Sequence, residues 1–305
     1  MTSRPDDTLG PGIAAGLAAG ALWGLVFVLP RAVDAYSGLE VSFGRYAAYA
    51  ALSIGALAWG WRDIRVHLTP RRVGAALMLG WVGNSLYYLL VVRAVRWAGT
   101  ALTGLIIGTL PLWLLCIGRP AGLRPARLVP GAVCTAAGLA LMYWSTTAQD
   151  GAGPRFTAGV ACATAALACW TAYAMLNARW LKREPSLPNA VWTHLLGVAT
   201  LIGLLPLLAF NEAPAATPAM REAQAGLYAA VSLTMGLGAS WLATWLWNIA
   251  SRRLPTSLAG QLIVSETLFA LAYGYLYEQR WPQPAEWAAA TLFTLGVVWA
   301  VRSHR

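Results

Sequence analysis

Two ionisable residues lie deep within apolar stretches of the sequence. Arg45 stands about two turns into one stretch, and Glu266 stands near the middle of another. A charge at the centre of a bilayer costs at least about 2.5 kcal/mol, so both are expected to face a wet cavity or each other. Glu266 could accept a proton or balance a substrate ammonium group, or it could form a structural ion pair or stay protonated. Arg45 could support a gate or bind backbone carbonyl groups, or it could hold a substrate carboxylate.

Polar and aromatic residues recur at α-helical spacing on four apolar segments. One example is the stripe of Trp81, Asn84, Ser85 and Tyr88, at positions i, i+3, i+4 and i+7. In lipid such residues must find partners inside the protein, so the stripes are predicted to line one cavity, although helix–helix contact explains any single member equally well. The rings there could stack on a substrate or bind an amine. The expected substrate-binding set is Asn84, Tyr88, Trp170, Tyr173, Asn177, Trp241, Trp245, Gln261, Ser265 and Glu266.

The composition excludes an ordinary soluble protein. Charged residues make up 11% of the 305, against roughly 25% in a typical soluble domain. Hydrophobic residues make up 58%, and the mean hydropathy is +0.56. The net charge of +10 falls in short clusters between long apolar stretches, which is typical of a multi-span membrane protein rather than a nucleic-acid binder.

The apolar stretches predict an all-α integral membrane protein with ten spans. A helix needs about 20 apolar residues to cross a bilayer, and the connections between the stretches are short and rich in turn residues. The predicted spans are Ile13–Pro30, Val41–Trp61, Val73–Val92, Ala98–Gly118, Leu128–Thr147, Phe156–Ala178, Asn189–Phe210, Gly226–Asn248, Thr256–Tyr277 and Ala285–Val301.

The basic residues predict the orientation of the chain. With ten spans, fifteen of the 22 Lys and Arg residues fall on the side that holds both termini, six fall on the other side, and Arg45 lies within a span. Cytoplasmic loops carry the excess of Lys and Arg. Both termini are therefore expected in the cytoplasm, and the chain is expected to be a multi-pass protein of the cell (inner) membrane.

The sequence contains a weak internal repeat. A shift of 156 aligns Leu79–Leu112 with Met235–Leu268 without a gap, and ten of the 34 pairs are identical, among them Arg96 with Arg252 and Thr100 with Thr256. This divides the chain into five-helix halves, residues 1–149 and 150–305. Because five is odd, the second half must enter the membrane from the opposite side, and such inverted repeats are a hallmark of secondary transporters.

Glycine recurs every four residues in the first span, at Gly12, Gly16, Gly20 and Gly24. Small residues at this spacing share one helix face and let a neighbouring backbone come close. The first span is therefore expected to pack tightly against another helix.

Several segments resemble the drug/metabolite transporter superfamily, in its EamA branch. They are Phe43-Gly44-Arg45-Tyr46, the stretch from Arg93 to Pro111, its repeat partner Leu254–Gly260, and the acid that ends span nine, Glu278. The chain departs from the family at Thr267, where a proline is usual, and at Arg119, near which an acid is usual. The Cys169-Trp170-Thr171-Ala172-Tyr173 segment is similar to the YddG-type amino-acid exporters. The resemblance implies a ten-helix fold and export of small metabolites.

The sequence analysis favours a secondary transporter that exports amino acids, including aromatic or other apolar ones, by alternating access through a polar-aromatic cavity. No P-loop is present, so ATP is not expected to drive it. A polytopic membrane enzyme is the first alternative, but His67, His194 and His304 form no recognisable catalytic motif. A channel or lipid-handling protein is the second. The expected partners are a small-molecule substrate and the lipid bilayer, with no nucleic acid, cofactor or metal, and a monomer could suffice.

Overall fold

The computed structural model describes residues 6–110, 113, 129–150, 153–211, 216–253 and 256–302. Regular secondary structure in these residues is helical throughout. The α-helices of seven or more residues are α1 Asp6–Gly24, α2 Gly38–Trp59, α3 Pro70–Gly80, α4 Tyr87–Ala98, α5 Thr100–Gly108, α6 Val129–Asp150, α7 Phe156–Arg183, α8 Asn189–Leu204, α9 Pro218–Leu233, α10 Ala243–Arg253, α11 Thr256–Tyr277 and α12 Pro284–Arg302.

Each of the ten predicted spans contains described helix. In the fourth, Ala98–Gly118, α5 covers the first part and most of the remainder lies outside the described residues. Within the described ranges, five helical segments are both long and apolar enough to cross a membrane. They are Gly10–Ala32, Pro70–Ala98, Phe156–Leu181, Asn189–Ala209 and Pro218–Trp247.

Side chains cap the starts of three of these helices. Before α2, Ser37 and Glu40 form a reciprocal capping box, in which each side chain accepts a hydrogen bond from the other's backbone N–H. Helices α3 and α9 begin alike, with a threonine cap, Thr69 or Thr217, followed by proline at the first helical position. The sequence therefore fixes these helix starts locally.

In the part of the chain that the structure describes, two π-helical segments interrupt long helices. The first, π1, is Trp81–Leu86, between α3 and α4, and the second, π2, is Thr234–Leu242, between α9 and α10. In π2 the hydroxyl of Ser240 donates to the carbonyl of Met235, five residues earlier, over 3.2 Å. In π1 the hydroxyl of Ser85 donates to the carbonyl of Thr200, in α8, over 2.8 Å. π-Helical turns are rare and frequently occur at functional sites.

The α-helical spacing assumed for the stripe Trp81, Asn84, Ser85 and Tyr88 is wrong, because the π-helical backbone changes the angle between successive residues. Trp81 is 41% exposed, whereas Ser85 and Tyr88 are fully buried. The four side chains therefore do not form one inward face.

The chain divides into two compact units. Unit 1 consists of Met1–Val28, Ala94–Thr164 and Leu242–Arg305. Its core contains Leu102, Leu105, Met142 and Phe293. The predicted packing face of the first span is confirmed for Gly16, Gly20 and Gly24, which lie against Leu262, Ser265 and Phe269 of α11.

Unit 2 consists of Leu29–Arg93 and Ala165–Trp241. A core cluster joins α3 to α8 and includes Leu79, Trp192 and Leu196. Helix α8 also packs on α2, where the phenol of Tyr49 donates to the carbonyl of Thr193 over 2.8 Å. Unit 2 holds Arg45 and most of the residues predicted to bind substrate.

Candidate functional site

Arg45 is buried in unit 2 and held on several sides. Its Nε donates to the hydroxyl of Ser240, in π2, over 2.9 Å. Its guanidinium carbon lies 4.2 Å from the ring centre of Tyr88 and 5.1 Å from that of Tyr46, within cation–π range. The side chain is 7% exposed, so the aromatic rings and Ser240 replace most of its water.

The charge of Arg45 has no carboxylate partner in the part of the chain that the structure describes, and its Nη1 has no hydrogen-bond acceptor there. A buried donor without an acceptor costs about 1–3 kcal/mol, and more when the donor is charged. The arrangement therefore leaves a buried positive group with unused hydrogen-bonding capacity.

Tyr46 connects the Arg45 site to π1. Its phenol donates to the backbone carbonyl of Asn84 over 3.2 Å, and its ring meets the ring of Tyr88 edge to face. Consecutive residues of α2 thus contact both π segments, Tyr46 through Asn84 and Arg45 through Ser240. Of the residues expected from sequence, Asn84 and Tyr88 lie at this site.

A row of three stacked aromatic rings lies in the same unit. Tyr87 stacks on Trp170 with ring centres 4.9 Å apart, and Trp170 stacks on Tyr173 at 5.2 Å. The backbone of Gly83, in π1, lies directly against the Tyr173 ring, where a Cβ would overlap it. The predicted residues Trp170 and Tyr173 are thereby brought beside the first π segment, each half-buried.

Asn177 and Trp241 have different surroundings. The side-chain carbonyl of Asn177 accepts a hydrogen bond from the indole of Trp192 over 2.8 Å, which joins α7 to α8. This contact supports the alternative explanation of the polar stripes, in which their members join one helix to another. Trp241 is half-buried at the end of π2.

The remaining predicted residues belong to unit 1. Ser265 is buried on α11, and its hydroxyl donates to the carbonyl of Leu262 over 2.6 Å. Its neighbour Glu266 is half-buried, and Gly20 of α1 lies against this point of the backbone. Trp245 is 53% exposed on α10. Gln261 belongs to α11, but its side chain lies outside the described part of the structure.

The site contains two residues that sequence reasoning did not select. Tyr46 was part of the segment that resembles the transporter family, but it was not chosen as a ligand contact. Ser240 was not chosen either, although it stands four residues before Thr244 and eight before Asn248, at α-helical spacing. Tyr46 contacts Asn84 of π1, and Ser240 contacts Arg45 of α2.

A polar cluster surrounds the ion pair of Glu40 and Arg221, which joins the start of α2 to α9. The guanidinium also lies over the ring of Tyr36, 4.7 Å from its centre, and Tyr36 stacks on Tyr228 with ring centres 4.1 Å apart. Partial burial would raise the pKa of Glu40, but hydrogen bonds from Arg221 and Ser37 and the charge of Arg221 outweigh it, so the pKa lies below its usual value.

A second ion-pair cluster joins the start of α3 to the segment before α8. Arg72 donates from Nη2 and Nε to one carboxylate oxygen of Glu184, over 2.8 and 3.0 Å, while Arg71 pairs with the other oxygen at 3.2 Å. Arg71 also lies over the ring of Trp180. Both threonine–proline helix starts in unit 2 are thus followed by an arginine that forms an ion pair with a glutamate of another segment.

The described residues contain no group of three or more His, Cys, Asp or Glu side chains arranged to hold a metal ion. The arrangement of unit 2 suits noncovalent recognition. It combines one buried guanidinium, several phenols and stacked indole and phenol rings, all carried by apolar helices.

Comparison with known proteins identifies the class to which the chain belongs. Residues 157–302 match the EamA-like transporter family. The inner membrane protein YtfF of Escherichia coli (strain K12) is 32% identical over 306 residues, which cover 96% of this chain and 95% of that protein. The chain belongs to the EamA-like transporter family. A solved crystal structure with 20% identity matches the fold over 96% of this chain and 99% of that chain, with a TM-score of 0.64.

Proposed function

We propose that the protein is a secondary transporter of the inner membrane that exports amino acids, including aromatic and other apolar ones, by alternating access. Family membership and the apolar helices support a membrane transporter. The observation that carries the finer proposal is the stacked row Tyr87–Trp170–Tyr173 in the same compact unit as the buried guanidinium of Arg45, which lies over the ring of Tyr88. Aromatic faces favour planar or apolar side chains, and the polar groups suit the charged end of an amino acid.

The proposal includes ten spans in two inverted halves, residues 1–149 and 150–305. Contacts within unit 2 support this arrangement. Gly80 lies against the backbone of Thr200, and Gly236, its partner in the 156-residue shift, lies against the backbone of Arg45. Thr200 and Arg45 are themselves 155 positions apart. Both π segments also end at aligned leucines, Leu86 and Leu242.

The Arg and Lys distribution supports cytoplasmic termini, and nothing in the proposed mechanism requires more than a monomer. In this scheme Glu266 contributes a proton-accepting or charge-balancing group, and Arg45 belongs to the substrate or gating machinery. The narrower similarity to YddG-type exporters supports aromatic amino acids as the first compounds to test.

Counterflow in proteoliposomes tests the transport proposal. Vesicles containing the purified protein and preloaded with unlabelled phenylalanine should accumulate labelled phenylalanine transiently, with a rate that saturates. Trp170→Ala should lower this rate, because it removes the middle ring of the stacked row. Trp59→Ala is the matched control, since Trp59 is 96% exposed and outside that row.

The alternatives predict different results. Flux without saturation or counterflow would indicate a channel. Absence of counterflow for every amino acid tested would contradict amino-acid export, and equal effects of the two tryptophan substitutions would contradict the role of the stacked row.

A further inference from the structure

We propose that Arg45 binds the carboxylate of the transported compound, so that unit 2 selects substrates that carry a single carboxylate. This inference rests on the proposed transport function and specifies its substrate class. It gives Arg45 a ligand-binding role, rather than a gate-supporting or carbonyl-binding one.

The guanidinium of Arg45 is held in one orientation. The backbone of α2 at Arg45 is in close contact with Gly236 of π2. The hydroxyl of Ser240 donates its proton to the carbonyl of Met235, so it presents a lone pair to Nε of Arg45. Tyr88 covers one part of the guanidinium at 4.2 Å. A charged group held in this way is preorganised for a partner of defined position.

The contacts that hold Arg45 do not provide a hydrogen-bond acceptor for every N–H group of its guanidinium. Aromatic rings stabilise the positive charge, but they provide no acceptor in the plane of the guanidinium N–H groups. Among the residues that the structure describes, Nη1 has no acceptor and no acid pairs with Arg45. An anionic oxygen that approaches Nη1 would supply both an acceptor for this donor and a counter-charge for the guanidinium.

A carboxylate fits this requirement better than a multivalent anion. One carboxylate balances the single guanidinium charge, whereas a phosphate dianion would leave excess negative charge among buried aromatic groups. Charge-assisted hydrogen bonds to a carboxylate are among the strong polar contacts available to arginine. The stacked rings of Tyr87, Trp170 and Tyr173 in the same unit offer apolar faces for the remainder of the compound.

A competitor series tests this role in the wild-type protein. Labelled phenylalanine is the probe, and unlabelled phenylalanine, 3-phenylpropionate, phenylalaninamide and phenethylamine are the competitors. The two compounds with a carboxylate should compete at least about tenfold better than the two without one, because only they supply the anionic acceptor. Equal competition by all four would overturn the proposal.

Substitutions test whether the selectivity for a carboxylate depends on Arg45. Arg45→Gln should remove the difference in competition strength between phenylalanine and its amide, and Arg45→Lys should retain part of that difference. Ser240→Ala should weaken the difference while leaving the charge, because it frees Nε. Arg62→Gln, at an exposed arginine, is the matched control and should retain the full difference. Retention of the full difference in Arg45→Gln would overturn the proposal.

These experiments distinguish failure of the proposed Arg45 role from failure of the proposed transport function. Carboxylate-independent counterflow would overturn the role of Arg45 and leave transport intact. If no compound is transported, thermal stabilisation of the purified wild-type protein by 3-phenylpropionate, but not by phenethylamine, would still support the anion site. The absence of such stabilisation would overturn it. The wild-type series and Ser240→Ala keep the test decisive if Arg45→Gln fails to fold.

Discussion

The packing of π2 on α2 leaves no room for a methyl group at Gly236. A Cβ built there would lie 2.5 Å from the carbonyl oxygen of Arg45 and 2.6 Å from Cβ of Ala48. Ordinary contact begins near 3.4 Å, so Gly236→Ala requires the two backbones to separate by about 1 Å. Because backbone atoms form the obstacle, no side-chain rotation relieves it.

The expected cost follows from overpacking. Extra methyl groups in well-packed sites cost about 1–3 kcal/mol, and the better helix propensity of alanine returns up to about 1 kcal/mol. Gly236→Ala should therefore lose roughly 1–2 kcal/mol of stability. Gly226→Ala in α9 is the matched control, because a Cβ there meets nothing within 4 Å. It should be neutral or stabilising.

Thermal unfolding of the purified protein in mild detergent, followed by tryptophan fluorescence, measures the difference between the two variants. Gly236→Ala should unfold at a lower temperature than the wild type, and Gly226→Ala should not. A Gly236→Ala protein as stable as Gly226→Ala would refute the close packing of π2 on α2. It would also weaken the argument that this contact orients Arg45.

Two further predictions concern carboxylates. The pKa of Glu40 is lowered in the folded protein, so its pairing with Arg221 stabilises the fold above pH 4.5, the ordinary value, and this stabilisation disappears as the pH falls through the lowered pKa. Glu40→Gln should be less stable than the wild type near neutral pH, and thermal unfolding curves of the two should converge in acid. A constant difference at all pH values would contradict this assignment. In counterflow measured across pH, Glu266→Gln should alter the pH response and the exposed-site control Glu222→Gln should not. Identical profiles would remove Glu266 from the mechanism.

The helices and the first close-packed face could be predicted from sequence, because both depend on local composition and spacing. Apolar length predicted ten stretches that all contain described helix, and five of the described segments are long and apolar enough to cross a membrane. The four-residue glycine spacing in the first span identified the face that contacts α11. The threonine–proline pairs at Thr69 and Thr217 are equally local signals for the starts of α3 and α9.

The candidate site could be predicted only in part. Arg45 stood out because a charge in an apolar stretch is costly, and Tyr88, Trp170 and Tyr173 stood out as aromatic residues near polar ones. Ser240 did not, because nothing in the sequence separates a serine that contacts Arg45 from the small polar residues that join helices. The role of Asn177 as a partner of Trp192 depends on tertiary packing, which spacing alone does not contain.

The π-helical segments also constrain how this sequence can change in length. A π-helical turn holds about one residue more than an α-helical turn, because its hydrogen bonds span five residues instead of four. Deletion of one residue that converted π1 to regular α-helix would therefore leave Tyr87 and Tyr88 near their present angle to α3. A deletion within a segment that is α-helical on both sides would instead turn the residues that follow by about 100°. Single-residue gaps should therefore be better tolerated at Trp81–Leu86 and Thr234–Leu242 than elsewhere in these long helices.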